Sequence, residues 1–328
     1  MKKLYALLPL LAALLAPGKL SAQMMPDSTV QIIAYWEVGD QLDYLVLEER
    51  YEMDGDKETM TRSASETVRY EVIAATDSTY TLQVTSLDGF SSNLNIPEKD
   101  LAALPDFPFR IRMSQLGEFL ELENTDEILK SLEKAVPVFT KLTLNGLTPE
   151  ERESVDKKGL DEYYRQALVS RAFVDNMCQQ YIAPFFYHGA RMDTTMTYSF
   201  KNTYTGIFGD DAIELETLFS VDSELTDDYS AVIRRETVAD NVDLIPLLKG
   251  IVPLVENLDK NASREELEQS LRELQINANF EEYVAEEIVL ESGWPTIWVF
   301  DRFVTAGQGD ETKGTHVYKK FQVVTEEE

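Results

Sequence analysis

Period-2 alternation at both ends of the chain is the feature that most limits what it can fold into. Val68, Tyr70, Val72 and Ala74 point one way while Thr67, Arg69 and Glu71 point the other. After Asp77-Ser78 the pattern resumes with Tyr80, Leu82 and Val84 against Thr79, Thr81 and Gln83. Successive side chains of a strand face opposite sides of a sheet, so this reads as a hairpin with one wet face. The same alternation returns in Met196, Tyr198 and Phe200, in Ile213, Leu215 and Phe219, in Tyr229, Ala231 and Ile233, and in Val317, Lys319, Phe321 and Val323. Further strands are expected over 41–52, 108–113, 117–122, 279–290 and 296–305. Short turn signals such as Asp54-Gly55-Asp56 and Asp222-Ser223 separate them, and links that short favour antiparallel pairing.

Two helical blocks interrupt the strands. In the first, Thr125 is placed to cap a helix carrying Ile128, Leu129, Leu132 and Val136. Thr148-Pro149-Glu150-Glu151 opens a polar helix, and one long helix is expected from Leu160 to Ile182, stopping at Pro184. The second block carries Leu244, Leu247, Leu248, Ile251, Val255 and Leu258 at helical spacing, then Ser263-Arg264-Glu265-Glu266 as a capping box. Lys134-Ala135-Val136-Pro137-Val138-Phe139 is close to Lys249-Gly250-Ile251-Val252-Pro253-Leu254. Two accounts stay open: related halves at about 30–188 and 189–325, or convergent capping grammar. The fold class expected is α+β, a large antiparallel sheet of long strands with helices packed on one face.

The helix over 243–256 is also apolar on a second face, at Ile245, Val252 and Leu254, with Pro253 expected to kink it. Such a helix must be enclosed. It is either a core helix laid on the sheet or a lid over an apolar cavity lined by Phe139, Leu244, Leu247, Leu248, Ile251 and Val255.

Residues 1–22 read as an export signal: Lys2 and Lys3, an apolar run from Leu4 to Leu15, and Leu20-Ser21-Ala22 before Gln23. The run is about 12 residues, short of the ~20 a membrane helix needs. No cysteine stands near Ala22 to carry a lipid, so the expected location is the periplasm or the exterior, in soluble form, with no integral membrane segment in the mature chain. Removing Lys2, Lys3 and Lys19 with the leader leaves 27 basic against 59 acidic residues, a formal charge of −32. Nucleic acid is a poor partner for that surface. Cys178 is the only cysteine, so no internal disulfide can form and packing must hold the fold.

Residues suited to catalysis are sparse. His188 and His316 are the only histidines, far apart in the chain, and there is no HExxH pattern, paired metal-binding cysteines or phosphate-binding glycine loop. Cys178 reads as a buried structural thiol. Asp54-Gly55-Asp56 and Asp210-Asp211 do not fit a calcium-loop spacing and read as turns. No cofactor, metal or catalytic residue is assigned.

Trp36-Glu37-Val38-Gly39-Asp40 leading into Tyr44, Gly117-Glu118-Phe119, and Gly293-Trp294-Pro295 between two late strands resemble a group of exported proteins of Gram-negative bacteria. That architecture is similar to the lipoprotein carriers of the LolA and LolB type. The resemblance implies a curved sheet wrapped around helices and enclosing an apolar cavity, and brings no catalytic residues. It also draws notice to Asp27-Ser28-Thr29, Asp77-Ser78-Thr79 and Asp193-Thr194-Thr195 as O-glycosylation acceptors at Ser28, Ser78 and Thr194, or else as ordinary turns. The function expected is a non-enzymatic binding or carrier protein for a lipid-like or other apolar ligand. The alternative is an envelope protein with a filled core whose partner is another envelope protein.

Overall fold

A computed structural model describes residues 28–88, 104, 107–205, 212–243, 245–248, 252–258, 263–274, 277–306 and 312–325. Its main feature is one antiparallel sheet. The strands are β2 (Gln41–Asp54), β3 (Lys57–Ala75), β4 (Thr79–Ser86), β5 (Phe109–Ser114), β6 (Phe119–Leu122), β8 (Thr197–Thr205), β9 (Ala212–Val221), β10 (Ser230–Asp243), β11 (Asn277–Val289), β12 (Pro295–Ala306) and β13 (Lys313–Val323). Their order is β6-β5-β4-β3-β2-β13-β12-β11-β10-β9-β8. The chain enters at the middle of the sheet, meanders out to β6, crosses to the opposite edge at β8 and meanders back. The first and last of these strands are therefore neighbours, with Tyr44 beside Val323 and Asp54 beside Lys313. A small second sheet pairs β1 (Thr29–Gln31) with β7 (Arg191–Asp193).

Helices make the crossing: α1 (Thr125–Leu132), α2 (Val136–Gly146), α3 (Pro149–Ser154), α4 (Lys157–Leu168) and α5 (Arg171–Ile182). Between β10 and β11 lie α6 (Ile245–Leu248), α7 (Val252–Leu258) and α8 (Arg264–Leu274). Thr148 and Glu151 form the expected capping box, and Ser263 and Glu266 bond reciprocally. The helix expected from Leu160 to Ile182 is instead two. Ser170 takes extended backbone and its hydroxyl accepts from the Phe173 N–H, so a cap starts a new helix where apolar periodicity alone ran on. The helix expected over 243–256 with a kink at Pro253 passes through residues 249–251, which lie outside the described residues. Pro137 sits in the first turn of α2, where its missing N–H costs no hydrogen bond, and Pro253 is the second described residue of α7. Among the described residues no helix is long and apolar enough to cross a membrane.

One sheet face is packed against α1 and α5. Tyr44, Val46, Val68, Tyr70, Leu82, Ile111, Trp298 and Phe321 share a core with Ile128, Val174, Met177, Tyr181 and Phe185. Each fully buried apolar side chain contributes about 1.5–3 kcal/mol over leaving it in water, against about 0–1 kcal/mol for an exposed ion pair. This apolar core therefore outweighs the surface charge. The Tyr70 hydroxyl donates to the Tyr181 carbonyl at 2.9 Å, and the Tyr44 hydroxyl to that of Pro295 at 2.7 Å.

Three short motifs far apart in sequence meet beside this core. Trp36 stacks on Trp294 at 4.7 Å, and both pack on Phe185. His188 lies 5.8 Å from Trp36, and its Nε2 is 2.6 Å from the Gly293 carbonyl. Gly293 (φ +73°) presses on the Ile33 carbonyl, and Gly117 (φ +92°) on the His188 ring, so a Cβ at either would collide as well as strain the backbone.

Candidate functional site

The pleat assigns each strand residue to a face. On β10, β11 and β12, Arg234 stands opposite Ala285 and Ala285 opposite Val299; one row along, Glu236, Tyr283 and Asp301 are aligned. Ser220 and Leu218 of β9 extend the two rows beside Arg234 and Glu236, and Thr197 of β8 pairs with Ser220. All these side chains lie on the face opposite the α1–α5 core. Because Ser220 and Ala285 are small, the rows leave a groove of about 430 Å³ across the strands. Leu218 and Tyr283 stay 37% and 40% exposed along it.

The rim of the groove is polar and held in place. Arg234 makes two hydrogen bonds to Asp222, at 3.0 and 2.9 Å. The Tyr283 hydroxyl donates to Glu281 at 3.2 Å, and Asp301 lies 2.6 Å from His316 Nε2. The His316 ring is stacked between Tyr51 at 4.9 Å and Phe303 at 4.2 Å. An apolar floor with fixed polar groups at its edge suits binding of a small amphipathic molecule, and the volume lies in the range of about 300–1,000 Å³ usual for ligand sites.

The opposite face, which carries the α1–α5 core, holds a second cluster. β8 and β9 pair over nine residues, but β9 and β10 over only four, Leu218–Val221 against Ile233–Glu236. Freed beyond that point, the β8–β9 hairpin curls over the face until Tyr204 meets Phe280 of β11 at 4.8 Å. Beneath it Glu282 is 1% exposed. Arg235 reaches its Oε1 at 3.1 Å and Arg302 its Oε2 at 2.6 Å. Tyr204 Oη lies 3.2 Å from both Glu282 Oε1 and Thr237 Oγ1, and Thr237 bonds Thr217 at 2.6 Å. Arg302 also rests on the rings of Phe300, Tyr204 and Phe280.

The residues expected to line a helix-covered cavity are distributed differently. Leu244, Ile251 and the Leu247 side chain fall outside the described residues. Phe139 is half-buried against Tyr164 of α4 at 5.9 Å, Leu248 is half-buried and Val255 is 37% exposed. Helices α2 and α7 both pack on α4, where Leu144, Leu254 and Leu258 surround Leu160 and Tyr163. Helix α7 is apolar on two sides because Leu254 and Leu258 face α4 while Val252 is buried elsewhere. Ser28 and Ser78 are exposed; Thr194 is half-buried, its N–H donating to the Ser28 carbonyl. Asp54-Gly55-Asp56 forms the β2–β3 turn, and Asp210-Asp211 lies outside the described residues. Cys178 is buried, and burial, with Asp175 adding, pushes its thiol up to about 12.

No protein-family model and no curated protein matches the sequence. Among solved structures, 88% of the chain is similar to lipovitellin, in a structure describing lipid–protein interactions in that protein, with 9% identity and a TM-score of 0.44. The chain spans 25% of lipovitellin's length. A second similar structure is Ail, the attachment invasion locus protein of Yersinia pestis, at 6% identity and a TM-score of 0.15, with 88% of this chain and 100% of that one covered.

Proposed function

We propose that the mature chain is an exported, non-enzymatic binding or carrier protein for a ligand with an apolar body. Its site is the groove across β8–β12. The observation that carries this reading is the concavity itself: about 430 Å³ floored by Ala285, Val299, Leu218 and the Tyr283 ring, with charges already paired at its rim. The helix-covered interior is a weaker candidate, because Ile128, Val174 and Leu160 are each 0% exposed there. Export rests on the leader at residues 1–22.

Ala285→Trp tests the site. Ala285 is half-buried on the face opposite the α1–α5 core, so an indole there fills the groove at a stability cost expected to stay within about 0.5 kcal/mol, as for most surface substitutions. Binding of a neutral apolar fluorescent probe, displaceable in the wild type, is expected to fall at least tenfold. Equal binding by the variant would remove the groove as the site.

A second reading, an envelope interaction protein, is favoured by one observation. Leu45, Met60 and Val238 are 48%, 50% and 56% exposed on this same face, on β2, β3 and β10, where a protein laid across the strands would cover them. Leu45→Arg lies away from the groove and would weaken such a partner while leaving the probe bound.

A further inference from the structure

On the face that carries the α1–α5 core, Glu286 stands between Ile233 and Trp298 in the strand register. It is 1% exposed, and neither of its carboxyl oxygens has a hydrogen-bond partner. Arg235 is its diagonal neighbour, opposite Val284. Glu282 occupies the Arg235 Nη2, but the buried Nε has no acceptor. Tyr187, 3% exposed, packs its ring 5.3 Å from Phe219, the cross-strand neighbour of Arg235, and its hydroxyl is also without a partner. That phenol feels the charge of the Arg235 guanidinium and of the Glu286 carboxyl, and Arg235 comes near hydrogen-bonding range of it without completing the bond's geometry.

Four buried polar atoms without partners in one place are rare in a folded protein. The group is mixed: Arg235 Nε only donates, whereas a phenol and a neutral carboxyl both donate and accept. What satisfies such a set is small and able to do both. We propose that Glu286, Tyr187 and Arg235 enclose an internal hydration site, with ordered water joining the carboxyl to the phenol and the guanidinium. Burial holds the Glu286 carboxyl well above the usual carboxylate range, Arg235 opposing it, which favours its neutral form. Glu286 and Tyr187 are not among the residues that line the groove, although Arg235 borders both sites.

Denaturant midpoints of the full mature chain at neutral pH test this. Glu286→Gln, which keeps a donor and an acceptor, is expected to leave the midpoint unchanged. Glu286→Met is expected to lower it, because water loses an anchor and Arg235 Nε and Tyr187 Oη are left unsatisfied. Adding Tyr187→Phe to Glu286→Met is expected to recover part of that loss. A midpoint unchanged or raised by Glu286→Met would overturn the proposal, since a dry site gains from losing an unpartnered carboxyl. A crystal structure provides a readout independent of how the variants fold. Ordered water within hydrogen-bond distance of both Glu286 and Tyr187 Oη is expected, and its absence where other buried waters are seen would equally overturn it.

Discussion

Replacing Glu282 with alanine is expected to destabilise the protein by about 3–5 kcal/mol, the usual cost of breaking a buried ion pair by removing one partner. Arg235 and Arg302 both direct their guanidinium groups at this carboxylate, whose side chain is 2% exposed; theirs are 15% and 33% exposed. Without it two positive charges face each other across β10, β11 and β12, and the Tyr204 hydroxyl loses an acceptor. Glu282→Gln keeps the shape and one acceptor, so a smaller loss is expected. Urea or guanidinium denaturation of both variants provides the comparison. A loss below about 1 kcal/mol for Glu282→Ala, the scale of an exposed pair, would show that water reaches the cluster.

The second large effect depends on pH. Burial pushes His188 down to about 4, the hydrogen bonds with Gly293 and Phe185 opposing this. Nε2 approaches a carbonyl that can only accept, so the neutral ring carries its proton there. An unfolded histidine titrates near 6.5. Between those values the unfolded chain binds the proton and the folded chain does not, so stability contributed by this group is complete above about pH 6.5. It is lost as pH falls towards 4 and changes little below that. Over that interval the loss amounts to about 3 kcal/mol. Carboxylates titrate in the same range, so the test is the difference between wild type and His188→Phe, which keeps a ring against Trp36 and Phe185 but cannot take a proton. The wild type's advantage is expected to shrink by about 3 kcal/mol between pH 6.5 and 4. A constant difference would mean that His188 is reached by solvent and titrates normally.

The strands were legible because alternation exposes one face to water and the other to the core. Where that contrast is missing, the sequence is silent. Lys57–Glu66, the first half of β3, carries mostly exposed polar residues and is held by its ladder to β2. In β11, Phe280, Glu282, Val284, Glu286 and Ile288 face the core while Glu281, Tyr283, Ala285 and Glu287 face away. With glutamates on both faces, composition cannot tell a buried acid from a solvated one; the arginines at matching positions of β10 and β12 were the available signal. The Trp36, Gly117 and Gly293-Trp294 motifs, weak singly, form one packed unit around His188. The groove could not be read at all. Its floor is made by what is small at Ser220 and Ala285 in strands that only register aligns, whereas apolar runs drew notice to helices that pack on each other.

The most direct test of the central claim is mass spectrometry of organic extracts from the wild-type protein and Ala285→Trp, each purified from its native source. A compound with an apolar body, present in near-equimolar amount in the wild-type extract and depleted from the variant, is the predicted result. Extracts that are alike, whether both empty or both carrying the same compound, would contradict the assignment of a ligand to this groove.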